Sequence, residues 1–219
     1  MSASSRSRSA ARAPPKPRGR PKDASKRRAI LDAAKELFAD AGFSDTSMDA
    51  IAARAGVSKL TLYSHFGGKD ELFAEAVRQK CSEYAPPELF DPRTRLALRA
   101  RLLDIGWRFL QLVAADESMN LYRMMAEDAR RAGHLGKLFF SVGPQQTIDR
   151  FARLLEAAHA SGELRVPDPA HAACHFFCLL KGVHHLRALV GARPMPPPAQ
   201  QRRHVEEVVD LFLRAFAPR

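Results

Sequence analysis

Residues 46–66 read Thr46-Ser47-Met48-Asp49-Ala50-Ile51-Ala52-Ala53-Arg54-Ala55-Gly56-Val57-Ser58-Lys59-Leu60-Thr61-Leu62-Tyr63-Ser64-His65-Phe66, an order that predicts two short helices with a glycine turn between them. Thr46 and Asp49 have the spacing of a capping box, with Asp in place of the usual Glu or Gln. Met48, Ile51, Ala52 and Ala55 then make a short apolar stripe that ends at Gly56. Ser58 can cap the next helix, and Leu62 with Phe66 supplies its inward face. Ala52 and Ala53 are small enough to admit a close helix, Gly56 tolerates a left-handed turn, and Val57 and Leu62 fill the angle between the two helices. That is the spacing of a helix-turn-helix, although an ordinary hairpin in a helical bundle has the same geometry.

Helical periodicity continues on both sides. Upstream, Ile30, Ala33, Ala34, Leu37, Phe38 and Ala41 share one face of a helix that Ser25 can cap and Gly42 can end. Downstream, Gly67-Gly68 breaks the chain, and Lys69 opens a helix with Leu72, Phe73, Ala76 and Val77 inward, followed by Cys81 and Tyr84. Pro86-Pro87 must end it, because an interior proline lacks the amide donor and clashes with the preceding turn. A domain boundary is therefore placed near residue 85. Further helices are predicted over 93–115, 118–132, 135–161, 168–191 and 200–217, with Pro144 kinking or dividing the third. The chain is all-α in this reading.

Ala29-Ile30-Leu31 through Phe38-Ala39-Asp40-Ala41-Gly42-Phe43, Thr46 to Ala52, Ala55 to Lys59, Thr61-Leu62-Tyr63, His65-Phe66 and Lys69 to Leu72 together resemble the DNA-binding domain of the TetR family of transcriptional repressors. The resemblance implies an N-terminal three-helix reader with a connecting helix (25–85), and a larger helical domain (86–219) that dimerises and holds an effector. It implies that Lys59, Leu60, Thr61 and Ser64 face base edges in the major groove. Tyr63 and His65 resemble phosphate-contacting positions, and Thr46, Ser47 and Lys69, at helix N-termini, can add hydroxyls or an ammonium to phosphates. For His65 a packed neutral imidazole stands as the alternative. Leu60 and Ser64 depart from the residues most often found at those two positions, which bears on the operator sequence read.

Charge is concentrated at one end. Residues 1–28 hold ten Lys or Arg against the single acid Asp23, which is nine of the chain's eleven net positive charges. An arm over 1–24 without an apolar face cannot offset its ordering entropy, so it is expected to be disordered when free and to seek a polyanion, nucleic acid before membrane. Within it, Lys16 to Lys22 resembles an AT-hook, whose Arg18-Gly19-Arg20 core would lie in a narrow A/T-rich minor groove; a plain basic tail on phosphates is the alternative. There is no apolar run of the ~20 residues that a spanning helix needs, and no apolar leader. Three cysteines without framework spacing fit a reducing, cytoplasmic setting.

His171, Cys174, His175 and Cys178 form H-x-x-C-H-x-x-C on one helical face. One straight helix rarely surrounds a tetrahedral ion, so packing near a dimer interface is favoured over a metal, and no metal or cofactor is expected. Trp107, Phe109, Tyr122, Met124, Met125, Phe139 and Phe140 are candidates to line an effector cavity, for which few nearby charges suggest an apolar or aromatic molecule. No nucleophile elbow, Walker loop, dinucleotide fingerprint or H-E-x-x-H appears, so an enzyme is not expected. The reading is a homodimeric, ligand-responsive regulator of double-stranded DNA; the alternatives are an architectural A/T-binding protein and a small-molecule-binding or catalytic helical domain on a basic leader. Removing residues 1–24 is expected to weaken DNA binding and flatten its salt dependence, each lost phosphate contact lowering the log–log slope by about 0.9. Filter-binding titrations across salt concentrations check this, and minor-groove insertion predicts a larger loss on A/T-rich than on G/C-rich flanks.

Overall fold

The computed structural model describes residues 23–94, 96–130 and 133–218; the arm with Arg18, Gly19 and Arg20 lies outside the described residues. All of the described secondary structure is helical, with no strand among these residues. The first helix, α1 (Ala24–Asp45), starts at Asp23 and not at Ser25, because the Asp23 carboxylate accepts the Ser25 amide at 3.0 Å. It breaks at Gly42, where φ is 80°. Helices α2 (Met48–Arg54), α3 (Lys59–His65) and α4 (Lys69–Tyr84) follow. Ile30, Phe38, Ile51, Leu62, Phe66 and Leu72 are buried together among them, and Phe73 closes the cluster with its ring 6.1 Å from Phe38 and 5.5 Å from Phe43.

Beyond a 3-10 turn at Pro87–Phe90, the helix predicted from residue 93 begins only at Leu98. The Asp91 carboxylate accepts the Arg93 amide at 2.9 Å and its carbonyl accepts the Thr94 amide at 3.2 Å, so that stretch is held as a turn around Pro92. Helices α5 (Leu98–Ala114), α6 (Asp116–Arg130), α7 (Leu135–Val142), α8 (Pro144–Ala160), α9 (Pro169–Leu189) and α10 (Pro198–Ala215) complete the fold. Pro144 divides the expected 135–161 helix into two, taking the first position of α8. Helix α8 packs along α9 and α10 along α5, around a second core centred on Phe151, whose ring lies 4.6 Å from Phe176, 5.2 Å from Phe177 and 6.3 Å from Phe212. The two cores meet across residue 85: Met125 of α6 and Leu135 of α7 are buried in the first one.

A glycine break recurs in α9. At Gly182, φ is 53°, and the carbonyls of Leu179 and Leu180 take the Nε2 proton of His204 on α10 at 3.2 and 3.1 Å. The side chain thus satisfies backbone acceptors that the broken helix cannot. No described helix is long and apolar enough to cross a membrane. Phe151 is fully buried among four other phenylalanines, so Phe151→Ala is expected to cost about 3–5 kcal/mol, read as a lowered midpoint in urea unfolding.

Candidate nucleic-acid interface and internal cavity

The turn between α2 and α3 is a Schellman motif: the Gly56 amide donates to Ala53 O at 3.2 Å and the Val57 amide to Ala52 O at 3.0 Å. Gly56 takes the left-handed conformation this requires, with φ of 65°. Ser58 then caps α3 by accepting the Thr61 amide at 3.1 Å, while Leu62 anchors the helix in the core. What α3 leaves outside is the face expected to meet DNA. Leu60 is 82% exposed, an unusual position for a leucine, and Tyr63 and Ser64 are exposed beside it. Lys59 reaches back to Asp49 of α2 at 2.8 Å, and that hydrogen-bonded partner raises its pKa. The Thr61 hydroxyl lies 2.8 Å from that of Ser58, and the Ser64 hydroxyl donates to Thr61 O at 2.7 Å.

Two side chains expected on phosphates, those of Thr46 and Lys69, turn inward, and the cap of α2 shifts by one residue. Ser47, and not Thr46, caps α2, accepting the Ala50 amide at 3.1 Å. Thr46 is buried, its hydroxyl between Gly42 O at 2.7 Å and Leu37 O at 3.1 Å, acceptors that the end of α1 leaves free. The Lys69 ammonium is likewise turned inward, donating to Phe43 O at 2.7 Å, Thr46 O at 2.9 Å and Ser44 O at 3.2 Å, and lying 4.4 Å from the Phe43 ring centre. The hydroxyl and ammonium anticipated on phosphates are therefore committed to the turn that precedes α2, which they position. Ser47 and Tyr63 remain exposed, and His65 is half-buried with an unpartnered, buried Nδ1.

Between α4, α5, α6, α7, α8 and α9 lies a cavity of about 260 Å³. Of the anticipated lining, Phe109, Tyr122, Phe139 and Phe140 are there. Trp107 is elsewhere, with the Arg202 guanidinium 4.0 Å over its ring. Met124 and Met125 face α1 instead: the Met124 sulfur accepts the Phe43 amide at 3.2 Å, and Met125 joins the first core. Residues not anticipated for the lining include Lys80 and Cys81 of α4 and Cys174, Cys178 and Lys181 of α9. The last three share a helix face at four- and three-residue spacing, a signal present in the sequence behind the H-x-x-C-H-x-x-C pattern. His171 and His175 stack on each other with ring centres 4.4 Å apart, and no group of three metal-capable side chains gathers among the described residues.

Burial sets the protonation of the cavity wall. It pushes the Tyr122 phenol up to about 12 and the Cys81 thiol up to about 11, so both stay neutral near pH 7. It pulls Lys181 below the ordinary lysine value. His185, buried and edge-on to Tyr122 with ring centres 5.4 Å apart, is lowered first by burial and then by the Lys181 charge.

Residues 30–76 match the family model of bacterial regulatory proteins of the tetR family, and residues 100–218 match that of the C-terminal domain of AefR-like transcriptional repressors. The chain is similar to the transcriptional activator FasR of Mycolicibacterium smegmatis, 34% identical over 45% of this chain and 44% of that one, so it spans less than half of that relative. Among solved structures it is similar to the flavonoid-responsive regulator FrrA, at 35% identity and a TM-score of 0.70 over 89% of this chain and 98% of that one. A TetR-family regulator from Mesorhizobium loti is 26% identical, with a TM-score of 0.74 over the same shares. Because Lys69 holds the turn before α2, Lys69→Ala is expected to cost about 1–3 kcal/mol of stability through carbonyls left without a donor. It is also expected to weaken binding to all operator variants alike, as checked by thermal unfolding beside binding titrations.

Proposed function

The chain belongs to the TetR family of bacterial regulatory proteins, DNA-binding transcriptional regulators and not enzymes, and we propose that it is a ligand-responsive repressor that binds a palindromic operator as a homodimer. One observation carries this reading: α4 lines the cavity with Val77, Lys80 and Cys81, and the Lys69 at its start holds the turn that positions the DNA reader. A molecule seated in the cavity must press on the helix that sets the reader's angle. Such a molecule regulates only if it binds the two angles unequally, and operator DNA then weakens its binding by the same factor.

In this reading residues 25–85 form the reader and 86–219 the regulatory part, with the basic arm over 1–24 as a further DNA contact. Lys59, Leu60, Thr61 and Ser64 read base edges, Lys59 by exchanging Asp49 for a guanine acceptor and Leu60 by contact with a thymine methyl. Ser47, Tyr63 and His65 are assigned to phosphates, and Thr46 and Lys69 to positioning. After the break at Gly182, Val183, Leu186 and Val190 lie exposed at three- and four-residue spacing in and just past α9, with Leu179 exposed before the break and Leu211 on α10; these exposed apolar side chains support dimerisation through the last two helices. The match to a repressor family model supports repression, and the name of the flavonoid-responsive relative supports an apolar aromatic effector.

Footprinting of the full chain on the DNA flanking its own gene tests the proposal. Protection of a discrete palindrome, with half-site centres about 34 Å apart or a multiple of that, is expected. The double variant Val183→Glu/Leu186→Glu is expected to sediment as a monomer and to lose that footprint. Uniform coating of A/T-rich DNA would overturn the regulator reading in favour of an architectural protein.

A further inference from the structure

The cavity wall is apolar over most of its extent, with Phe109, Leu121, Phe139, Phe140, Ile148 and Phe177 facing it, and no carboxylate among the described residues lines it. Two lysines do. Lys80 is ion-paired with Glu117. Lys181 has no ion pair and no hydrogen bond among the described residues; its ammonium lies 5.4 Å from the centre of the Tyr122 ring. The other titratable groups around it are Cys178 on the preceding turn of α9, His185 on the next, and Tyr122 of α6, beyond which lies Cys81 of α4. Tyr122 and Cys81 stay neutral for the reason given above, and a neighbouring cation disfavours the charged form of His185. The ring of His185 is buried with Nε2 unpartnered, and an imidazole, neutral or cationic, is in neither form a counter-charge. A cation drawn out of water without a partner is costly, and an apolar occupant would desolvate it further.

We infer that the cavity takes a small molecule with an apolar body and a single negative charge, and that Lys181 is its counter-ion; this rests on the reading of the cavity as the effector site. A neutral apolar ligand would gain the same wall contacts and leave the ammonium more deeply buried. A carboxylate would remove that penalty and form a charge-assisted hydrogen bond in a low-dielectric setting. A phosphate ester or nucleotide is disfavoured, because it would bring two or more charges to one free ammonium. The volume of about 260 Å³ lies below the usual range of ~300–1,000 Å³ for drug-sized ligands and suits a one- or two-ring aromatic acid or a short-chain acid.

Calorimetric titration of the full chain with 1-naphthoate and its neutral amide, 1-naphthamide, tests the inference. The acid is expected to bind at least tenfold more tightly than the amide. That preference should vanish in Lys181→Met and in Lys181→Gln, and persist in Lys181→Arg and in Lys80→Met. Circular dichroism of each variant reports folding independently. Equal affinities in the unaltered protein, or a preference that survives both neutral substitutions, would overturn the role of Lys181 while leaving the cavity as an effector site. Binding of neither probe would overturn both the effector reading and the inference built on it.

Discussion

Helix α4 belongs to two apolar surfaces at once, and the rest of the arrangement depends on that sharing. Leu72 and Phe73 are buried in the first core, whereas Cys81, two turns on, faces the cavity; Val77 does both. Close approach to the second half of the chain is secured at Gly143, between α7 and α8, where a Cβ would fall 2.8 Å from the Val77 side chain and 3.1 Å from the Cys81 sulfur. A side chain at position 143 would therefore have to push α4 away. At the far end stands Lys69, tied to three carbonyls of the turn before α2. Helix α4 thus touches the cavity near its C-terminal end and the turn before α2 at its N-terminal end.

The reader itself is small, and its order comes from its ends more than its interior. Helix α3 buries only Leu62 of its own residues. A Schellman turn, the Ser58 cap and the flanking Phe66, which the Arg27 guanidinium covers at 4.9 Å, hold it in place. Ion pairs across the surface, Arg54 with Glu36 at 2.6 Å and Lys59 with Asp49 at 2.8 Å, contribute little, because both partners remain hydrated. That weakness is useful at a DNA-facing surface, since the same lysine can change partners at little cost. Leu60 has no packing role to explain its exposure.

Helix α9 reconciles two demands on one segment. Its inner face, with Phe176, Phe177 and Leu180, belongs to the second core, while Cys178 and Lys181 line the cavity and Val183 and Leu186 lie outside. The break at Gly182 separates these stretches, and the His204 imidazole compensates the freed carbonyls from the neighbouring helix. A straight helix would keep one set of faces along its whole length. The glycine allows the apolar stripe after it to point in its own direction.

The order of residues by itself determined the helical class, the helix-turn-helix and the family. Those features rest on local chemistry: three- and four-residue apolar spacing, a left-handed glycine at 56, a serine cap at 58 and prolines at 86, 87 and 144 that cannot be mid-helix. It also narrowed the cavity lining to a set of aromatic residues and methionines, of which Phe109, Tyr122, Phe139 and Phe140 do line it and Trp107, Met124 and Met125 do not. Tertiary structure decided what local chemistry cannot. Thr46 and Lys69 stand at helix starts, where spacing alone makes them phosphate ligands, yet the left-handed break at Gly42 exposes carbonyls that claim both side chains. Trp107 shares its helix with Phe109 but projects to another side, under Arg202. Nothing in the sequence singles out Lys181; only the packing of α6 against α9 draws it out of water beside a phenol that burial keeps neutral. Among the described residues no carboxylate pairs with its ammonium, and spacing along the chain does not record that.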